Sequence, residues 1–384
     1  MKKRKLAIVL LLIILITYSC NKDDSEIKEN EIEEIVIEPT DNFKKSITYK
    51  DSIINIKNII QVKDSGYILV GGFRFGHESE IKDLIIKLDK YGNKQWLKVR
   101  QDTYSPNGLE QIFYDNNKLV GYRSHTYQSG SAPVLVYFDE NGNEIDNFHI
   151  SNSIAGFDVL QENDGYIVAG SINDFVVQKI NKQGHVLWTE KHADATGFSI
   201  SKSQDNNFIA IGGSHSGVSG EFLIKMDHFG KKIWSKPVRG YKVVALPNNT
   251  FIALTGHDNE KVELTQFESN GNQIWNHKTE LEWSSISGAS TDSYLLNYGL
   301  DNFVFGLKTH QKLIIKVINN KGNIVSIRNI PFNATDNIDD INIIKTLDNG
   351  LLVTYSGKKW NNNTSNFDAI INLIKISHSE IISN

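Results

Sequence analysis

A glycine set in a short polar turn returns along the chain at Gly92, Gly142, Gly184, Gly230, Gly271 and Gly322, with spacings of 50, 42, 46, 41 and 51 residues. Around it one pattern recurs: a polar turn, a strand, a loop, a strand, a second turn, and a strand that often holds Trp. The clearest copy runs from Glu162 to His192. Others begin at Asp64 and Asp205, and weaker ones near Asp115, Pro247, Asp292 and Asp348, which makes seven. Each unit has room for four strands of roughly five to eight residues plus turns. Asn-Gly and Asp-Gly supply the positive φ that tight hairpins need. Stretches such as Tyr166–Ala169 and Phe175–Val177 are rich in β-branched and aromatic residues. No long run of period 3.6 follows the first twenty residues, so helices are expected to be few. One sheet cannot bury both its faces alone. Seven such units therefore predict an all-β fold, a seven-bladed β-propeller of four-stranded antiparallel blades around a channel.

A ring must close. The seventh repeat ends in Ile376-Ser-His-Ser-Glu-Ile-Ile, without a glycine turn or a Trp, while Phe43-Lys-Lys-Ser-Ile-Thr-Tyr stands before the first full repeat as an orphan outer strand. The N-terminal strand is expected to complete the last blade and hide the free edges. The predicted organisation is a leader over residues 1–19, an acidic tether over 20–42, and one propeller over 43–384.

The leader opens with Lys2, Lys3, Arg4 and Lys5, followed by an apolar stretch of eleven residues from Leu6 to Ile16. That is short for a membrane-spanning helix and suits an export signal. The chain's one Cys follows at Cys20, directly after Ser19. This segment resembles the lipobox of bacterial lipoproteins, although Thr17 replaces the usual Leu three before the Cys and Tyr18 is bulky. The resemblance implies lipidation at Cys20 and a stable membrane anchor. The next residues, Asn21-Lys22-Asp23-Asp24, resemble the export signal of Bacteroidetes surface lipoproteins. The rest of the tether is acidic with almost no aromatic residue, as expected of a solvated linker.

Four copies of the second turn read D/N/E-x-x-G-x-x-x-W, ending at Trp96, Trp188, Trp234 and Trp275. They resemble the tryptophan-docking repeat of quinoprotein-like propellers. That group includes pyrroloquinoline quinone dehydrogenases and the lipoprotein propeller of the outer-membrane barrel-assembly machinery. The segment Gly165-Tyr-Ile-Val-Ala-Gly also looks like the DGGY-I-V-A-G repeats of secreted Bacteroidetes propellers. The resemblance covers the chain from about Phe43 onward and speaks for fold more than for function. These Trp are expected to fill gaps between neighbouring sheets. Blades two and six carry Asp146 and Ser326 at the Trp position and are expected to pack less well at the rim.

Composition narrows function. Lys plus Arg number 41 and Asp plus Glu 45, a net charge of −4 without the basic face that nucleic acid requires. A quinone dehydrogenase often carries a vicinal Cys pair, which a single Cys cannot form, and HExxH, GxSxG, P-loop and EF-hand motifs are absent from the sequence. No cofactor, metal site or catalytic pair is assigned. Most carboxylates sit in turns, where Asp shapes the backbone.

The candidate site is positional. In a propeller, loops joining strands two and three share a face with the blade-to-blade connections. The former hold Arg74, His77, Arg123, His125, His215, His257 and Trp360, with Tyr127, Lys358 and Lys359; the latter hold Trp283, Tyr104 and His192. Aromatics there suit stacking on sugars or peptide, and His or Arg suits polar contact. Trp283 and Trp360 lie outside the structural Trp pattern, and an exposed Trp is costly unless used. The expected function is a non-enzymatic binding or protein-interaction module on an outer-membrane, cell-surface lipoprotein, for a glycan or a protein partner, either monomeric or within a membrane complex. The alternatives are a periplasm-facing assembly scaffold like the barrel-assembly propeller, or a quinoprotein-like or other propeller enzyme.

Overall fold

The computed structural model describes residues 42–76, 78, 80–100, 108–123, 133–150, 155–172, 174–192, 196–213, 222–256, 261–282, 293–333 and 337–382. They form seven four-stranded antiparallel sheets in a ring, a seven-bladed β-propeller. Blade one is β2 (Ser52–Gln61), β3 (Tyr67–Phe75), β4 (Lys82–Leu88) and β5 (Lys94–Arg100). Blade two is β6 (Gln111–Asp115), β7 (Lys118–Arg123), β8 (Val134–Phe138) and β9 (Glu144–His149), and blade three is β10 (Ala155–Glu162), β11 (Gly165–Ile172), β12 (Asp174–Asn181) and β13 (Val186–Lys191). Blade four is β14 (Thr196–Lys202), β15 (Phe208–Gly213), β16 (Leu223–Met226) and β17 (Lys232–Lys236), and blade five is β18 (Gly240–Ala245), β19 (Phe251–Thr255), β20 (Lys261–Phe267) and β21 (Gln273–Glu282). Blade six is β22 (Ser293–Asn297), β23 (Asn302–Lys308), β24 (Lys312–Asn319) and β25 (Ile324–Pro331). Blade seven takes β26 (Asn337–Lys345), β27 (Leu351–Asn361) and β28 (Asn366–Ile376) from the C-terminus and β1 (Phe43–Tyr49) from the N-terminal side. β1 pairs with β28 from Phe43↔Lys375 to Tyr49↔Ala369, so the ring closes as expected.

The core is seven cores. Each apolar cluster lies between two neighbouring sheets; that between blades seven and one joins Ile47, Leu352, Ile371 and Leu373 to Ile54, Ile56, Leu69 and Leu84. Middle strands are therefore covered on both faces and read as continuous apolar runs, as in Tyr67–Phe73 and Val134–Phe138. Inner strands also bond sideways. β2, β10, β14, β18 and β26 each carry a bulge, and the residues after three of these bulges, Asn58, Asp158 and Ser199, accept a backbone N–H from the next inner strand. Their acceptor distances are 3.3, 3.1 and 3.3 Å, to Ile112, Ile200 and Val243. The extra bulge residue turns a polar side chain toward the neighbouring blade.

The glycine turns have a local and a tertiary cause. In five of them the first residue (Asp89, Asp139, Asn181, Asp227 or Asn319) accepts two backbone N–H groups of its own turn, and the glycine takes φ between 76 and 85°. Outside most of these turns lies a ring of the preceding blade. A Cβ on Gly142 would come within 2.6 Å of Trp96, one on Gly230 within 2.6 Å of Trp188, and one on Gly271 within 3.0 Å of Trp234. Phe43 on β1 stands in the same way over Gly92. The indole Nε1 of Trp234 and of Trp275 donates to the carbonyls of Ser269 and Asn320, each at 3.1 Å.

Blades two and six differ from expectation. At blade two Asp146 is exposed, but Tyr137 donates its hydroxyl to the Lys182 carbonyl at 2.6 Å, the position the indole takes elsewhere, and packs edge-on against Phe148. At blade six Ser326 is buried. The short C-terminal helix α1 (His378–Ile382) lies against β25, with Ile381 buried and its carbonyl accepting from Ser326. Blade seven has no outer glycine turn for a Trp to stand on, and α1 fills that place.

The Asp that opens several repeats also has a tertiary reason. Asp64, Asp164, Asp205 and Asp348 pair with Lys87, Lys179, Lys225 and Lys375 on the third strand of the same blade. Three of these lysines are buried. For Asp205, burial pushes the carboxyl up, but the Lys225 ammonium, Ser203 and Asn207 outweigh it and hold it well below the usual carboxylate range; Asp64 and Asp348 are lowered in the same way.

Two predictions follow from these contacts. A left-handed alanine costs about 1–2 kcal/mol. Gly142→Ala, at φ 76°, should exceed that cost because its methyl meets Trp96. Urea unfolding of Gly142→Ala, Trp96→Ala and the double variant tests this, and an additive cycle would contradict the ring contact. The second concerns acid. Carboxylates lowered in the folded state add stability that is present above their unfolded value of 3.8 and lost as pH falls through their folded values. Urea midpoints should therefore drop below about pH 4, and Asp205→Asn should flatten that drop.

Candidate binding site

The strand two–three loops and the blade-to-blade connections share one face, here called upper. On it a cavity of about 440 Å³ opens at the channel mouth between blades seven and one. Ile53, Asn55 and Lys57 line it from the solvent-facing side of β2, whose alternate residues Ile54 and Ile56 are buried. Phe73 and Arg74 come from the end of β3, Asp339 and Asp340 from the start of β26, Lys358 from the end of β27, and Lys308 from blade six.

Four cations face two carboxylates there. Lys57 lies 2.9 Å from Asp340, and Lys358 lies 3.3 Å from Asp339. Asp340 is 4% exposed. Burial pushes its carboxyl above the usual value, with the Lys57 ammonium pulling the other way. Three buried polar atoms have no hydrogen-bond partner among the described residues: Arg74 Nε, Asp340 Oδ2 and Asn55 Oδ1. One is a donor and two are acceptors.

Above this cavity β27 and β28 run on as a long hairpin. Trp360 follows Lys358 by two residues, so both leave the same side of β27. It is 50% exposed and stands edge-on to Phe367, with ring centroids 5.0 Å apart, while the Lys358 ammonium lies 5.7 Å over Phe367. Phe75, beyond Arg74, is also 50% exposed. Asp368 braces the hairpin by accepting from Asn361 and from the Asp51 backbone, each at 3.0 Å.

The adjoining seam, between blades one and two, is closed by charge. The Asp83 carboxylate is wholly buried, 3.0 Å from Arg100 and 3.3 Å from Arg123, and Arg100 also binds Glu144 on β9. Arg123, named from the sequence for the rim, is thus buried beneath it. His192 lies edge-on to Phe175, and burial, with Lys232 nearby, lowers it to about 4, so it is neutral at pH 7. Lys359 is exposed. Cys20, His77, Tyr104, His125, Tyr127, His215, His257 and Trp283 lie outside the described residues. The structure therefore brings Arg74, Lys358 and Trp360 to one place. It adds Asn55, Lys57, Lys308, Asp339 and Asp340; the alternation Asn55-Ile56-Lys57 marks the first two, Asp339 is the extra residue of a bulge before Asp340, and Lys308 carries no sequence signal. A second cavity, of about 480 Å³, opens near Trp96 and Tyr114. Polar groups in it are paired, Lys87 with Asp64 and Tyr114 with Glu140.

The Asp83 cluster yields a prediction. Asp83→Ala leaves two guanidinium groups facing each other, one of them buried, and should lower unfolding free energy by roughly 3–5 kcal/mol, as for a broken buried pair. A urea midpoint unchanged from that of the parent chain would contradict it.

No family model and no curated protein matches the chain. Solved structures do. The chain is similar to the Dos1 propeller, with TM-score 0.52 and 12% identity over 84% of this chain and 78% of that one. It is similar to the WD40 β-propeller domain of Doa1, with TM-score 0.54 and 11% identity over 87% and 97%. It is also similar to YCF48 bound to a D1 peptide, with TM-score 0.52 and 9% identity over 90% and 99%. At such identities the likeness is one of fold: a β-propeller architecture shared without shared chemistry.

Proposed function

We propose that the chain is an outer-membrane lipoprotein, held at the cell surface through Cys20, whose propeller is a binding module that takes its ligand at the upper-face cavity between blades seven and one. The observation that carries the reading is the set of open hydrogen-bond valences on Arg74, Asp340 and Asn55, beside the half-exposed ring of Trp360. Buried polar atoms without partners are costly, and a ligand that pairs them recovers that cost. Many of the chain's other carboxylates hold turns or pair with lysines, which favours binding over turnover. YCF48, which shares only the fold, is seen holding a peptide, so the architecture suits this use.

Polarity of the chain supports the orientation. β1 begins at Phe43 on the lower face, paired there with Lys375, and Asn42 is tied to Ser377 and Glu380. The tether thus joins the ring on the side away from the cavity, and a lipid at Cys20 leaves the cavity pointing outward from the membrane.

Treatment of intact cells with protease, beside a periplasmic lipoprotein as control, checks the placement. Loss of the chain from intact cells is the expected result, and Cys20→Ala should move it from the membrane to the soluble fraction. Full protection on intact cells would overturn the surface orientation.

A further inference from the structure

The cavity's unmet valences specify more than a site. Arg74 offers a buried Nε–H at the base of its guanidinium, which with a neighbouring Nη–H matches a planar oxoanion held side-on by two parallel bonds. The local charge, four cations against two carboxylates, favours an anion as well. Yet Asp340 Oδ2 and Asn55 Oδ1 are acceptors and require donors from the same ligand. A simple anion supplies none, and a phosphate brings only further acceptors toward Asp339 and Asp340. A peptide terminus supplies its carboxylate and one neighbouring N–H against two acceptors. A sugar acid carries a carboxylate and several hydroxyl donors on one rigid ring, which meets both needs together. Trp360 and Phe75, each 50% exposed, stand beyond the cavity, where the apolar faces of further sugar rings would rest. The cavity's volume falls in the usual range for small-molecule sites, roughly 300–1,000 Å³.

We propose that the cavity binds a uronic acid residue at the end of a glycan, its carboxylate on Arg74 and its hydroxyls on Asp340 and Asn55. This rests on reading the cavity as the binding site. Its test uses the full-length chain in detergent and tryptophan fluorescence with calorimetry. Three probes serve: a glucuronate-ended oligosaccharide, the same oligosaccharide with its carboxylate reduced to the alcohol, and a tripeptide with a free C-terminal carboxylate. The acidic oligosaccharide should bind at least about tenfold more tightly than the reduced one, as for loss of a charge-assisted bidentate contact. Arg74→Gln should weaken the acidic oligosaccharide far more than the reduced one and so remove that preference, and Trp360→Ala should weaken both sugars. Thermal melts of the variants, expected to match the parent, separate lost contact from lost fold. Equal binding of the two sugars would overturn the acid assignment. Binding of the tripeptide alone, still sensitive to Arg74→Gln, would overturn the sugar class and keep the cavity as the site. Binding of no probe would overturn both the sugar and the small-ligand reading of the cavity.

Discussion

An aromatic ring of one blade resting on the bare glycine of the next is the contact from which the rest of this ring follows. Glycine is required twice at that point. The turn needs φ near +80°, and the ring occupies the space a Cβ would fill. Trp96, Trp188, Trp234 and Phe43 make this contact to the following blade, so four of the seven sheets are registered this way by their predecessors. Because each apolar cluster belongs to two sheets, no blade is complete without its neighbours. Rings at the outer rim and bonded bulges at the inner one hold the same pair of sheets at two radii.

Where the outer contact is missing, other groups supply its parts. Tyr137 reaches the turn carbonyl that an indole would reach, and α1 covers Ser326 where blade seven lacks a turn. Charge does similar work at the upper end of the blade one–two seam, where Asp83 draws in two arginines. The next seam, between blades seven and one, is apolar in its depth but leaves its upper end unsealed. Blade seven, which β1 completes at its outer edge, is thus also one wall of the cavity where polar groups remain open.

The architecture was legible because it is periodic. The glycine turns, the apolar middle strands and the orphan strand at Phe43 each have one physical reading, and the structure follows all three. Trp360 is as exposed as a Trp outside the repeat pattern suggested. The packing at blade six was not legible, because α1 is five residues with no period to detect and is held by contacts from Ser326 and Arg328, some fifty positions away. Nor was Arg123's burial, since its carboxylate partner lies on a different blade. The cavity's inner lining shows the reverse case. Asn55 and Lys57 sit on the polar side of an alternating strand, and Asp339 is the extra residue of a bulge beside Asp340, but only the closed ring turns these groups toward each other.

Closure by β1 has a mechanical consequence. The chain enters β1 at Phe43 on the lower face, and β1 runs toward the upper face where the cavity lies. A pull on the N-terminal end of β1 against a load at the upper face would therefore act along the strand axis. The bonds to β28 lie across that axis, so the ladder from Phe43 to Tyr49 is sheared as a unit. The same bonds would open one at a time if the strand were peeled from its end. The strand that completes the ring is thus oriented to resist a pull applied at its N-terminal end.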